Sequence, residues 1–363
     1  LIVAMVVLPS TTLTTWKRPA RGFQATARIG LLLGCCYCLF LFLGSPLSRA
    51  FGQPKQESLG ALRERTGQAV RVRVADSVGN SVWISDQDKR LLRQISVASE
   101  LRNWDEVMSL FASYSGMTTQ IYTAVMNAAL RCRKYEEGAK IYERCRQTCH
   151  HFEEQTFNAG LKIFGRLHQP EKVRKIWAEA KETCKLSHMM VSARIHAAAD
   201  EGDAETAAAM LDLLNTSNLE TNAFPITMAI RSCWGMGKTR HRAAKYFFDL
   251  FPKFGVEPNI VSFTALVGSY TEAPLQDVIS AKVEMESLGI HPNRVFAETY
   301  LVSILQLDFS RLRAISAIQD ALQNVPSDRL HAAGRGIADF EAAGVDLTGL
   351  SRKLKTALER LIE

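Results

Sequence analysis

The stretch Pro258 to Asn293 reads PNIVSFTALVGSYTEAPLQDVISAKVEMESLGIHPN, and both of its ends carry the same residues. A Gly-x2-Pro-Asn sequence ends at Asn259 and recurs 34 residues later, ending at Asn293. Between them lie two apolar patterns with helical spacing: Ile260, Phe263, Leu266, Val267 and Tyr270, then Val278, Ala281, Met285 and Leu288. One helical hairpin cannot bury its apolar face alone, so the stretch predicts stacked neighbours of similar length.

Units of this length can be placed along most of the chain. When Val261 is taken as the first position, six units start 34 to 37 residues apart, and a weaker unit near Lys89 precedes them. Units one to six start at Gln120, Gln155, Met189, Phe224, Val261 and Val295. In five of them an apolar third residue precedes a small polar fourth residue: Tyr122-Thr123, Phe157-Asn158, Val191-Ser192, Ile226-Thr227 and Phe263-Thr264. The pattern indicates a degenerate repeat.

The helix SFTALVGSY, the ending Met-x3-Gly-Ile-x-Pro-Asn and a small residue early in the second helix resemble pentatricopeptide repeats. The resemblance is strongest over residues 224–293 and weakest over 85–119 and 295–325. The tetratricopeptide repeat has a similar period, but its Trp, Leu-Gly and Tyr signature is absent. The resemblance implies an all-α, right-handed solenoid of about six to seven helix-turn-helix repeats over 85–325, with capping helices over 326–363.

The net charge of +7 lies mostly in the first 55 residues, which contain six Lys or Arg and no acid. The remaining residues hold 38 basic and 37 acidic side chains. The overall charge is therefore weak evidence for a nucleic-acid partner.

Residues 1–50 have the pattern of a targeting segment. A basic, hydroxyl-rich lead precedes the apolar stretch Ile29 to Leu43, whose length matches a signal-peptide core. Ser48 and Ala50 form a cleavage-site pattern before Phe51. This arrangement resembles the two-part targeting sequence of complex, red-derived plastids, with residues 51–84 as transit peptide or linker. A mitochondrial presequence is the alternative, and a retained membrane anchor is the third reading, so we expect membrane contact only through this segment if it is not cleaved.

Two motifs suggest chemistry but lack a complete pattern. The stretch GMGKT (235–239) resembles a phosphate-binding loop, yet Ser232 stands where the first Gly is required and no strand precedes it. Cys145 and Cys149, with the two His residues that follow, have zinc-ligand spacing but no second ligand pair. The five cysteines from Cys132 onward have no framework spacing, which favours a reducing compartment. We therefore expect no catalytic centre, cofactor, metal or small-molecule substrate.

The resemblance implies binding of single-stranded RNA, one base per repeat, by the fourth residue and the last residue of each unit. The implied base-binding residues are Thr123, Asn158, Ser192, Asn222, Thr227, Asn259, Thr264 and Asn293. First-position residues would stack on the bases: Met189, Phe224, Val261 and Val295. Ser or Thr with a final Asn resembles an adenine reader, so units three to five predict a run of A. Asn158 pairs with His188, outside the usual combinations.

Two functions from different classes remain open. The first is an organellar RNA-binding protein that acts in transcript processing, stability, editing or translation. The second is a helical-repeat scaffold that binds protein, which the near-neutral charge after residue 55 favours. Ser, Thr and Asn are also common helix caps, so the polar residues alone do not decide between the two.

Overall fold

The computed structural model of the protein describes residues 84–307 and 314–362. The predicted targeting segment and the predicted linker up to residue 83 lie outside the described residues. Among the helices that the structure does describe, none is both long and apolar enough to cross a membrane.

The described residues form α-helices joined by short turns. In chain order the helices are α1 (Asp86–Glu100), α2 (Trp104–Ala112), α3 (Thr119–Cys132), α4 (Tyr135–Thr148), α5 (Glu154–Arg166), α6 (Pro170–Thr183), α7 (His188–Glu201), α8 (Ala204–Thr216), α9 (Ala223–Ser232), α10 (Arg240–Phe248), α11 (Ile260–Gly268), α12 (Leu275–Ser287), α13 (Arg294–Leu305), α14 (Ile315–Leu322), α15 (Ser327–Ala342) and α16 (Gly349–Ile362). Two 3₁₀ segments, Cys233–Thr239 and Pro252–Phe254, flank α10. No strand occurs in these ranges.

The Gly-x2-Pro-Asn sequence ends one helix and begins the next. Gly289 takes a φ of +71°, which an L side chain adopts at a cost. The backbone N–H of Ile290 then donates to the carbonyl of Met285 at 3.1 Å and closes the end of α12. The Asn293 Oδ1 accepts from two backbone amides in the first turn of α13, at 3.0 and 2.9 Å. Asn259 caps α11 in the same way.

The apolar third residue of each unit lies in the core between helices. These side chains are fully buried: Tyr122, Phe157, Val191, Ile226 and Phe263. Burying each one stabilises the fold by about 1.5–3 kcal/mol relative to exposure, before chain entropy is counted. The third position therefore supplies the packing that a lone hairpin lacks.

The helices form two layers. The first helices of the six units, α3, α5, α7, α9, α11 and α13, pack against one another in chain order. Each second helix of units one to five packs against its own first helix and the first helix of the next unit. The chain is thus an all-α solenoid of stacked helical hairpins, and the first helices form one continuous surface.

The sixth unit is built from helices that are not adjacent in sequence. Helix α15, rather than α14, packs closely against α13, while α14 packs against α16. Arg329 in α15 donates to the carbonyl oxygens of Ile304 at 2.7 Å and Ala273 at 2.9 Å. Lys282 in α12 donates to Asp339 in α15 at 3.0 Å. These contacts place α15 alongside α12 and antiparallel to α13, which is the position of a second helix.

Candidate nucleic-acid interface

We define the first-helix face as the surface formed by positions one, four and eight of units one to five. Three of the four predicted stacking residues project from it. Met189 is 59% exposed, and Phe224 and Val261 are each 44% exposed. Asn127, at the eighth position of unit one, is also exposed. The face therefore offers apolar contacts in three successive units.

Val295 differs from the other three predicted stacking residues because only 9% of it is exposed. Helix α16 and the residue before it lie close to the same helix: α16 packs against α13, and Thr348 is near the Glu298 carboxyl of α13. Burial raises the pKa of Glu298, and the nearby Thr348 hydroxyl offsets part of that effect. The surface that is open for stacking therefore ends at unit five.

The fourth residues of units one to five lie below the stacking residues. They are only 3–7% exposed: Thr123, Asn158, Ser192, Thr227 and Thr264. A buried polar group needs a hydrogen-bond partner, and an unpaired one costs about 1–3 kcal/mol. The partners of these five side chains therefore show which of them can still bind a ligand.

In two units the fourth residue bonds to the second residue of the following unit. The Thr123 and Thr156 hydroxyl groups lie 2.9 Å apart, and those of Thr227 and Ser262 lie 2.8 Å apart. Thr227 also donates to a backbone carbonyl of its own helix at 2.7 Å. The sequence spacing does not indicate that these hydroxyl groups are already hydrogen-bonded within the protein.

Units two and three are different because the second residue of the next unit has no hydroxyl. Met190 follows Asn158 in this register, and Pro225 follows Ser192. Asn158 Oδ1 and Ser192 Oγ are buried and have no partner among the described residues. Both atoms therefore keep unused hydrogen-bonding capacity. The Thr264 hydroxyl lies between these two cases: it has a partner, but that partner is the Ile260 carbonyl of its own helix, at 2.6 Å, rather than a side chain of the next unit.

The residues at the ends of units three to five are exposed caps. Asn222, Asn259 and Asn293 each accept a backbone N–H through Oδ1 at the start of the next helix. Their Nδ2 groups have no partner within the described ranges, so each can still donate outward. In unit two the equivalent cap is Ser187, whose hydroxyl donates to Glu154 at 2.5 Å. The predicted residue, His188, is instead the first residue of α7, and its buried Nε2 is unpaired in that part of the chain.

A charged cluster adjoins the first-helix face, at positions eight and twelve of units two and three. Arg166 binds Asp200 through an ion pair of 3.0 Å, and its second NH2 group lies 3.4 Å from Nε2 of His196. Nδ1 of His196 lies 3.3 Å from Asp200 Oδ2, which is ion-pair distance but outside hydrogen-bond geometry. Lys162 has no ion pair among the described residues, and burial lowers its pKa. The cluster thus carries more positive than negative charge.

Burial lowers the pKa of His196, and the charges of Arg166 and Arg231 act in the same direction against the opposing effect of Asp200. Burial alone would raise the pKa of Asp200, but His196 and the two arginines outweigh it and the pKa falls. A charged imidazole is disfavoured in this setting, and the Arg166 ion pair favours the ionised form of Asp200. At neutral pH we therefore assign a neutral His196 beside a carboxylate.

The structure places the two motifs that resemble a phosphate-binding loop and a zinc site. The stretch GMGKT lies in the 3₁₀ connection between α9 and α10 rather than between a strand and a helix. Cys149 donates to the carbonyl of Met117 at 3.2 Å, and burial raises the pKa of Cys145. In residues 84–307 and 314–362 no group of three His, Cys, Asp or Glu side chains gathers as a metal site.

Sequence reasoning assigned no site role to Glu154, Lys162, Arg166, His196 or Asp200. The available signal was the repeat register itself, because Lys162 and His196 occupy the same eighth position of successive units. What the register could not show is that Arg166 of unit two contacts Asp200 and His196 of unit three across the helix layer.

Comparisons with known proteins give matches among solved structures alone, since no protein-family model and no curated protein matches the chain. One match is the pentatricopeptide repeat protein PPR10 from maize, with 18% identity and a TM-score of 0.42, covering 74% of this chain and 41% of that one. PPR10 in complex with an 18-nt psaJ RNA element matches with 15% identity and a TM-score of 0.34, covering 91% and 60%. This chain thus spans less than two thirds of either. The chain is an all-α helical-repeat solenoid, similar to solved structures of the repeat family that its sequence resembles.

Proposed function

We propose that this protein binds single-stranded RNA along the first-helix face, reading bases with the fourth and last residues of its units. The observation that carries the proposal is the state of Asn158 and Ser192. Both are more than nine-tenths buried, both retain an unpaired polar atom among the described residues, and exposed Met189 and Phe224 are the first residues of units three and four, which directly follow the units of Asn158 and Ser192. Apolar stacking beside unpaired hydrogen-bonding groups suits an unstacked nucleobase.

Units two and three are the main reading site in this proposal. Units four and five contribute through the outward Nδ2 groups of Asn259 and Asn293, and through stacking on Phe224 and Val261. Thr227 and Thr123 contribute little, because their hydroxyl groups are bonded within the protein. The cations of the charged cluster, Lys162 and Arg166, favour a polyanionic ligand.

We propose further that binding takes place in an organelle and affects the processing, stability, editing or translation of a transcript, without catalysis by this chain. Plastid import through the two-part segment 1–84 is the first choice, and mitochondrial import is the second. Fusing residues 1–84 to a fluorescent protein tests this part. Signal in neither organelle would rule out both choices.

The RNA proposal is tested by fluorescence anisotropy of the full chain with short homopolymers of A, C and U at two salt concentrations. Binding that discriminates among the bases, and keeps that discrimination at the higher salt, is the expected result. Charge attraction alone loses affinity steeply and equally for all three polymers as salt rises. Equal, salt-sensitive binding would therefore overturn the proposal.

Protein binding is the second candidate function, and one observation favours it. Three large apolar side chains near the first units, Val97, Leu101 and Met117, are 55–67% exposed. Absence of base discrimination in the titration, together with loss of a co-purifying protein on changing Leu101 to Ser, would support this function instead.

A further inference from the structure

Glu154 contacts the side chain that is best placed to read a base. It is the first residue of α5, and its Oε1 accepts from Nδ2 of Asn158 at 3.3 Å. The same oxygen accepts from the Ser187 hydroxyl at 2.5 Å. Two donors from different parts of the chain therefore converge on one carboxylate oxygen, which holds it in place.

This contact fixes which way the Asn158 amide faces. An amide can present either its oxygen or its NH2 group to a neighbour, but an ionised carboxylate can only accept. Nδ2 must therefore point to Glu154, and Oδ1 points away from it. That Oδ1 is the buried atom of unit two that has no partner among the described residues, and Met190 in the next unit offers it no donor.

We propose that Glu154 is a specificity-determining residue: it locks Asn158 as a hydrogen-bond acceptor, so that unit two selects a base with an amino group at purine C6 or pyrimidine C4. Adenine and cytosine present an amino group where guanine and uracil present a keto oxygen. A keto oxygen facing Asn158 Oδ1 would leave two acceptors in contact without a proton between them. The inference rests on the proposed RNA-binding function and assigns the preference of one unit within it.

The clearest test compares oligo(C) with oligo(U), because the two pyrimidines have the same ring size and differ in the amino or keto group. Anisotropy titrations of the full chain give the affinity ratio for the two polymers. In Glu154→Ala the amide of Asn158 is free to turn over, and the ratio is expected to fall about threefold to tenfold, the value of one hydrogen bond. Both polymers are titrated on one preparation, so an inactive fraction cancels from the ratio.

Glu154→Gln is the matched variant, because it removes the same charge and keeps an acceptor oxygen for Asn158. Its ratio is expected to stay near that of the unchanged protein, while both variants gain affinity for all polymers through the lost negative charge. Glu182→Ala, an exposed carboxylate on α6, controls for charge alone and should leave the ratio unchanged.

The outcomes separate this inference from the proposed function. If the unchanged protein prefers oligo(C) and Glu154→Ala keeps the full preference, Glu154 does not set specificity. Equal loss of preference in the Ala and Gln variants would mean that charge, not amide orientation, is responsible, which also overturns the inference. If the unchanged protein binds no RNA, the proposed function itself fails.

Discussion

The ring of Phe224 lies nearly parallel to the imidazole of His196, with the ring centroids 6.0 Å apart and an angle of 19° between the planes. His196 is in turn held between Arg166 and Asp200. Phe224 is therefore positioned on one side by a fixed ring while 44% of it stays exposed. An exposed aromatic side chain that is already held in place loses little entropy when a base stacks on it.

Removing the support of Phe224 should weaken RNA binding without removing Phe224 itself. We expect His196→Ala to lower affinity for the preferred homopolymer about twofold to tenfold, since an aromatic pair contributes roughly 0.5–1.5 kcal/mol. His196→Phe keeps a flat ring against Phe224 and should retain most of the affinity. Anisotropy titration of both variants checks this, and equal losses in the two would show that stacking on position 196 is irrelevant.

The same histidine makes stability depend on pH. Because its pKa is lower in the folded protein than its ordinary value near 6.5, the unfolded chain binds more protons at this site over the window just below that value. The contribution of His196 to stability is therefore present above about pH 6.5 and is lost as the pH falls below it. Urea unfolding at several pH values, in parallel with His196→Phe, measures the effect.

In His196→Phe the slope of the unfolding free energy against pH should be smaller just below pH 6.5 than in the unchanged protein. Comparing the two proteins isolates His196, because other buried groups also titrate. Burial raises the pKa of the Glu153 and Glu201 carboxyls, so their contribution to stability falls as the pH rises, opposite to that of His196, and does so at lower pH. Identical slopes would mean that His196 titrates in the folded protein as it does in the unfolded chain.

The bond between Thr123 and Thr156 can be tested as a pair. Thr156→Val leaves the buried Thr123 hydroxyl without its partner, so we expect a loss of about 1–3 kcal/mol of unfolding free energy. Changing both residues to Val removes donor and acceptor together and should cost much less than the sum of the single changes. Denaturant unfolding of the unchanged protein, Thr123→Val, Thr156→Val and the double variant gives the coupling energy between the two residues. Strict additivity would show that the hydroxyl groups do not interact.

Two glycines with open space around them should respond in opposite directions to alanine. At Gly289 and Gly334 no heavy atom of the described residues, apart from the adjoining residues and the nearby backbone of the same helix, lies within 4 Å of the place that a Cβ would take, so steric clashes do not decide the outcome. Gly289 has a φ of +71°, and Gly289→Ala should destabilise the fold by about 1–2 kcal/mol. Gly334 lies inside α15 without a positive φ, and Gly334→Ala should stabilise it by about 0.5–1 kcal/mol. Thermal unfolding of both variants checks the signs, and a shared sign would contradict the backbone argument.

Much of the fold follows from short-range patterns in the sequence. The spacing of the Gly-x2-Pro-Asn sequences gives the length of a unit, because Gly289 ends one helix and Asn293 caps the next whatever surrounds them. The apolar third residue, such as Phe263, is buried as its helical register requires. Such features depend on residues within one or two turns of each other, so the sequence alone determines them.

The state of the candidate site depends on contacts between units. Thr227 and Ser192 occupy the same position in the repeat, but Ser262 bonds to Thr227 while Pro225 offers Ser192 nothing. In the same way Val295 matches Val261 by register, yet the chain near Thr348 packs on its helix. The hairpins of units one to five and their order follow from the sequence. The pairing of α13 with α15, and the set of polar groups that stay unpaired, follow from the tertiary structure, because such contacts depend on both residues and on the distance between them.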